Sequence, residues 1–240
     1  SLLGLPDAGF ASYEEMVSRV RSICEATDTV VIADGDTGFG GLANVERAVA
    51  GYESAGSGAI QLEDQEFPKR CGHTRNRAVI PAADMVKKIL VASESRASDD
   101  FLIIARTDAL TEQGIYEALR RGENYLRAGA DVLFVESPES EEQMKQICDS
   151  FKGVPLVANM VSGGLTPMLS DAVLFEMGYQ LVIHPVYLLG AAFEGMKNAA
   201  GMLRDDGVEQ NTADINDLND LLDFQHIWQL DERFENNPGA

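Results

Sequence analysis

The chain has 240 residues, 45% of them hydrophobic, enough to build one sizeable core without a second domain. Its 39 acidic and 19 basic side chains give a net charge of −20, which excludes a nucleic-acid face built on phosphate neutralisation. The longest apolar runs are strand-length and fall short of the ~18 residues of a membrane span, so neither nucleic acid nor membrane is an expected partner.

Along the chain, Ser12 and Glu15 form a capping box, followed by Met16, Val20 and Ile23 at helical spacing. A β-rich run at 29–34, TVVIAD, leads into the turn DGDTGFGG. A second at 59–64, AIQLED, leads into QEFPKRCGHTRNR. Pro81 opens a helix to about Arg96, and FLIIARTD at 101–108 is the third strand. A helix at 116–129 ends on Gly129, and strands follow at 132–137, 155–160 and 180–185. Residues 187–204 read as helix, and so do 214–230, whose Leu218, Leu221, Leu222 and Ile227 form an apolar stripe.

The strands are continuously apolar, as parallel strands buried on both faces are. Asp34, Asp36, Glu63, Asp64, Arg106, Asp108, Glu136, Asn159 and His184 all stand at or just past a strand's C-terminal end. Polar groups converging from every strand end point to an α/β barrel, since an open sheet gathers them at one switch point. Six strands are legible where a closed barrel needs eight. An incomplete barrel is therefore expected, within one domain spanning 1–240: a barrel portion at 1–204 and a helical extension at 205–240.

Three cysteines cannot all pair, and none has metal-type spacing, so a reduced intracellular protein is the default. A cytoplasmic location is expected. A mitochondrial one stays open, because the chain opens on SLLGLPD rather than on a start methionine and so a targeting signal is not judged from it. Cys24 and Cys148 fall on apolar helix faces and read as core. Cys71 differs: PKR precedes it and GHTRNR follows, and neighbouring positive charge favours the thiolate. Asp34 and Asp36, two apart in an extended segment, can face one hard cation, although a solvated turn explains the same residues. Glu63 and Asp64 suit a structural ion pair as well as catalysis, and Arg106 and Asp108 can pair with each other. His226 reads as packing or interfacial.

With DGDTGFG, QLEDQ, PKRCGH and ARTDA in this order and spacing, the sequence resembles the isocitrate lyase/phosphoenolpyruvate mutase superfamily from LGLPD to about Leu203. The resemblance implies a (β/α)8 barrel, of which the first strand and most of the second are the missing ones, with a C-terminal helix swapped between subunits of a homotetramer, a dimer of dimers. It implies Mg²⁺, for which Mn²⁺ can substitute, and a small dicarboxylate substrate. Asp34, Asp36 and Glu63 would serve the metal, largely through water, with Asp7 nearby. Cys71, Glu63 and Arg106 would be catalytic, with Cys71 on a gating loop as the proton donor. Glu136 and Asn159 would contact substrate, and Arg70, Gly72 and His73 would meet its distal carboxylate.

The Cys-Gly-His loop implies carbon–carbon rather than phosphorus–carbon chemistry. Pro185, where the resembling hydrolases carry a hydroxyl side chain, favours a lyase over an oxaloacetate hydrolase, because proline donates no hydrogen bond to a hydrated ketone. Methylisocitrate lyases continue the loop as CGH-Arg-Pro-Asn-Lys, whereas this chain has CGHTRNR, with Arg75 and Arg77 still able to serve a third carboxylate. The leading expectation is cleavage of 2,3-dimethylmalate to pyruvate and propionate. The alternatives are oxaloacetate hydrolysis, 2-methylisocitrate cleavage and a truncated assembly module without activity.

Overall fold

The structure is a computed structural model that describes residues 3–74, 77–207 and 212–235. Two compact units are present, Ser1–Pro185 and Val186–Ala240. In the first, strands and helices alternate: α1 (Tyr13–Glu25), β1 (Ile32–Asp34), α2 (Leu42–Ser54), β2 (Ala59–Glu63), α3 (Ala82–Ser95), β3 (Leu102–Thr107), α4 (Ala109–Gln113), α5 (Ile115–Arg127), β4 (Val132–Val135), α6 (Glu141–Ser150), β5 (Val157–Asn159), α7 (Asp171–Met177) and β6 (Leu181–Ile183). The second holds α8 (Tyr187–Asp206), α9 (Ile215–Leu221) and α10 (Phe224–Glu235).

All six expected strands form, each at the centre or end of its apolar run. The capping box at Ser12 is present in full. Three helices, α2, α4 and α7, add to those read from the sequence, and α6 is the helix on whose apolar face Cys148 falls. The single helix expected over 214–230 is instead two, because Asp223 adopts a left-handed backbone (φ 57°) between them. That break is not legible in the leucine stripe, which runs through it.

The strands are parallel and adjacent in chain order. β1 to β4 form one ladder and β5 pairs with β6. A parallel bridge between Leu133 and Leu156 joins the two sets. Side chains on a strand alternate between faces, and the two faces have separate cores. Ile60, Leu62, Ile103, Leu133 and Ala158 pack with helix residues such as Val49, Tyr52, Met85, Ile89 and Ile147. Their neighbours Ala59, Ile104, Val132, Phe134 and Val157 form a second, smaller cluster with Leu181 and Ile183. A core fed by alternate residues of successive parallel strands, on the side away from the helices, is how a barrel interior is filled.

That alternation places the polar groups. Glu63 is in phase with Ala59, Arg106 with Ile104, Glu136 with Phe134, and Asn159 with Val157, so all four cap the inner face at its C-terminal end. Asp64 is one residue out of phase and points to the helix side. There Tyr125 Oη (2.7 Å), Thr107 Oγ1 (2.8 Å) and Arg121 Nη1 (3.0 Å) donate to its carboxylate. This decides the open question of the Glu63–Asp64 pair: Asp64 ties β2 to β3 and α5, and Glu63 faces the site.

Candidate active site

Arg106 lies at the centre, above the Phe134 ring, with its guanidinium carbon 5.1 Å from the ring centroid. Asp108, two residues on, accepts both Nε and Nη2 at 2.9 Å, a bidentate grip that fixes the plane of the guanidinium. Glu136 Oε2 lies 3.3 Å from Arg106 Nη1, and Glu63 Oε2 is 3.5 Å from its Nε. Asn159 Nδ2 donates to Glu136 Oε2 at 3.1 Å.

The Cys-Gly-His turn sits over this cluster. Gly72 approaches Arg106 and Glu136 so closely that a Cβ there would lie 2.5 Å from Arg106 Nη2 and 2.7 Å from Glu136 Cδ. Only glycine fits. His73 Nδ1 accepts from the Leu165 N–H (3.2 Å), so the ring proton belongs on Nε2, which lies 3.3 Å from Glu136 Oε1. Burial first, and Arg106 and Arg77 after it, hold the His73 pKa below the ordinary histidine value, against the pull of Glu136. Cys71 is half-buried, its N–H bonded to the Asp7 carbonyl at 3.3 Å. Arg70 has its backbone bracketed by the Gln65 side chain, which accepts from Arg70 N (3.0 Å) and donates to its carbonyl (2.8 Å).

Two cations expected near the thiol are engaged elsewhere. Lys69, 6% exposed, bridges Asp7 (2.6 Å) and Asp36 (2.7 Å). Arg77, 4% exposed, bonds Asp108 (2.7 Å) and Thr111 Oγ1 (2.6 Å), so it is not free to meet a third substrate carboxylate. Arg75 lies outside the described residues.

Asp34 and Asp36 are adjacent, but not for the reason expected. Asp36 has φ 47°, so the segment is not extended, and Asp34 Oδ1 accepts the Asp36 N–H at 2.9 Å. Burial first, then Asp34, pushes the Asp36 carboxyl up to about 6, against the pull of Lys69. Burial likewise raises Glu63 well above the carboxylate range, only partly offset by Arg106. Its Oε1 is buried with no hydrogen-bond partner. Among the described residues, the lysine and arginine ion pairs of Asp7, Asp36, Glu63, Asp108 and Glu136 are with Lys69, Arg77 and Arg106, and Asp34 adds a further carboxylate, a deficit of positive charge that an anionic substrate would deepen. Oxygen donors of this kind are the chemistry of a hard divalent cation, and Asp34, Asp36 and Glu63 are the residues that would hold one. Among the described residues, no three His, Cys, Asp or Glu side chains converge to enclose a metal by themselves.

Ser137 was not singled out by sequence reasoning. It is fully buried with a left-handed backbone (φ 57°), and its hydroxyl is 2.8 Å from the Gly72 carbonyl and 2.9 Å from Glu136 Oε1. Its one signal was its place directly after a strand-end carboxylate. Pro185 stands two residues beyond Ile183, at the same end of the strands.

The family model described as phosphoenolpyruvate phosphomutase matches residues 1–204. The chain belongs to the phosphoenolpyruvate mutase/isocitrate lyase family. It is 44% identical to 2,3-dimethylmalate lyase of Eubacterium barkeri over 98% of this chain and 82% of that protein. It is 39% identical to a probable 2-methylisocitrate lyase of Corynebacterium glutamicum over 88% and 70%. Among solved structures, a 2,3-dimethylmalate lyase superposes with TM-score 0.92 at 33% identity, covering 97% of this chain and 79% of that one. An oxaloacetate acetylhydrolase with 3,3-difluorooxalacetate gives 0.92 at 31%, covering 97% and 80%. A phosphonopyruvate hydrolase in complex with oxalate and Mg²⁺ gives 0.85 at 29%, covering 97% and 82%. The fold is thus the α/β barrel type of this family.

Proposed function

We propose that this family member is a Mg²⁺-dependent carbon–carbon lyase acting on a small 2-hydroxy dicarboxylate, with 2,3-dimethylmalate, cleaved to pyruvate and propionate, as the leading substrate. The observation that carries this reading is the Cys-Gly-His turn seated on Arg106, Glu136 and Asn159. That turn carries the half-buried Cys71 beside a buried cluster of charged and hydrogen-bonding groups.

Glu63, made more basic by burial, takes the proton of the substrate hydroxyl at its unpartnered Oε1. The C2–C3 bond breaks as the C2 oxygen becomes the carbonyl of pyruvate, and its electron pair stays on C3 beside the departing carboxylate. Arg106, fixed by Asp108, holds the developing negative charge. Cys71 gives its S–H proton to C3, completing propionate. Bound Mg²⁺ would stabilise negative charge on the substrate oxygens. Asn159, whose Nδ2 donates to Glu136 and whose Oδ1 is buried without a partner, would contact the substrate.

Pro185 supports lyase over hydrolase chemistry, since it has no N–H or hydroxyl to offer a hydrated ketone. The likeness to an oxaloacetate acetylhydrolase makes oxaloacetate hydrolysis the second reading. With Arg77 engaged by Asp108, a smaller diacid is favoured over methylisocitrate. Exposed Leu188, Phe193 and Met196 on α8, with Leu221, Leu222 and Trp228 around α9 and α10, support assembly of the homotetramer through the second unit. No helix among the described residues is long and apolar enough to cross a membrane.

The test is incubation of the enzyme and Mg²⁺ with 2,3-dimethylmalate, with pyruvate release coupled to NADH oxidation by lactate dehydrogenase. Pyruvate and propionate in equal amounts are expected. Faster conversion of oxaloacetate to oxalate and acetate, measured as kcat/KM, would overturn the lyase reading.

A further inference from the structure

Arg77 touches none of the groups assigned a chemical step, yet it is almost wholly buried at the C-terminal end of the strands. Its Nη1 donates to Asp108 Oδ1 at 2.7 Å, and Arg106 Nη2 donates to that same oxygen at 2.9 Å. Asp108 Oδ2 takes Arg106 Nε, and the Asp108 N–H is held by Asp64 Oδ1 at 2.9 Å. The carboxylate that aims Arg106 is therefore anchored from two sides, by Asp64 through its backbone and by Arg77 through its side chain. The second arm of Arg77 is fixed by Thr111 Oγ1 at 2.6 Å, at the start of α4. Arg106 in turn abuts Gly72, the centre of the thiol-bearing turn.

From this chain of contacts we infer that Arg77 is a positioning residue. Through Asp108 it sets the aim of Arg106 and, through Arg106, the seat of the Cys71–His73 turn. The inference rests on the lyase reading for its kinetic consequence only.

A bare structural ion pair would stabilise the fold without affecting either target. The two roles separate because a carboxylate shared by two guanidinium groups has a fixed orientation, whereas one held by Arg106 alone can swing with it. Lysine cannot replace the fork, since its single ammonium cannot satisfy Asp108 and Thr111 in the same planar geometry.

The experiment compares wild type with Arg77→Met, Arg77→Lys and Thr111→Val. Thr111→Val is the mild variant that releases one arm of Arg77 without leaving Asp108 short of a cation. The primary readout is the rate of Cys71 alkylation by iodoacetamide without substrate, mapped by peptide mass spectrometry beside Cys24 and Cys148. Cys71 is expected to react roughly tenfold faster in Arg77→Met, and by a smaller factor in Thr111→Val, with the other two cysteines unchanged. KM for the diacid is expected to rise in the same order, with Arg77→Lys between wild type and Arg77→Met. An unchanged Cys71 rate in both Arg77→Met and Thr111→Val would overturn the inference. So would equal acceleration at all three cysteines, which marks general loosening. Absence of turnover in the wild type would defeat the lyase reading and leave the alkylation comparison decisive for Arg77.

Discussion

Lys69 places its ammonium 2.7 Å from Asp36 and 2.6 Å from Asp7, inside the acidic end of β1 and its following turn. One monovalent cation balances part of a cluster that also holds Asp34 and Glu63, and burial first, with neighbouring carboxylates after it, holds the Asp36 and Glu63 carboxyls above the ordinary carboxylate range.

Divalent metal should therefore both activate and stabilise. EDTA is expected to abolish turnover, and added Mg²⁺ to raise Tm by mass action on the folded state. Asp36→Ala should lose the Tm response and should not recover activity at ordinary Mg²⁺ concentrations. Full activity in EDTA would end the metal hypothesis.

Cys71→Ser should retain the wild-type fold and Mg²⁺ response while kcat falls by roughly 10²-fold or more, as loss of a general acid does. Wild-type turnover in this variant would reduce the thiol to a structural part of the turn.

Tyr125→Phe deletes a 2.7 Å hydrogen bond to the buried Asp64 carboxylate and leaves the ring in place. A bond to a charged group contributes about 1.5–3 kcal/mol, so Tm should fall clearly while KM stays near wild type. A large KM change at unchanged Tm would contradict the reading that the Tyr125 bond to Asp64 serves the tie between β2 and α5.

His73 gives a pH dependence with a definite sign. Its folded pKa lies below the ordinary value, so on acidification the unfolded chain takes up the proton first. The stability it supplies is full above about 6.5 and is lost progressively as pH falls through and below that value. The Tm advantage of wild type over His73→Gln should shrink between about pH 7.5 and pH 5.5. A gap independent of pH would show that His73 is not held neutral by the fold.

Deleting 214–240 removes α9 and α10 with their exposed Leu221, Leu222 and Trp228. Sedimentation should then show a smaller species than the full chain, because the apolar surface offered for assembly is gone. An unchanged sedimentation coefficient, after correction for mass, would place the assembly surface elsewhere.

The sequence alone determined the six strands, the parallel α/β class and the strand-end position of the acidic and basic residues. Buried parallel strands must be continuously apolar, so AIQLED, FLIIARTD and VLFVES stand out whatever packs on them, whereas TVVIAD has the same pattern but leaves Val30 and Ile32 exposed. It also marked Glu63, Arg106, Glu136 and Asn159, since a polar residue ending such a run has few other places to be. What it could not decide was direction. Glu63 and Asp64 are equivalent in composition and differ only in strand phase, which sends one into the site and the other to Tyr125 and Arg121. The cationic run around Cys71 read as a single cluster, but a loop's side chains are assigned by what folds beneath it. Lys69 went to Asp36, and Arg77 to Asp108, 31 residues away. Ser137 gave almost no signal, because one buried hydroxyl in a left-handed turn becomes meaningful only when Gly72 arrives above it. Local patterning fixes elements through periodicity, whereas a site is made of long-range pairings, and those exist only after the chain has closed on itself.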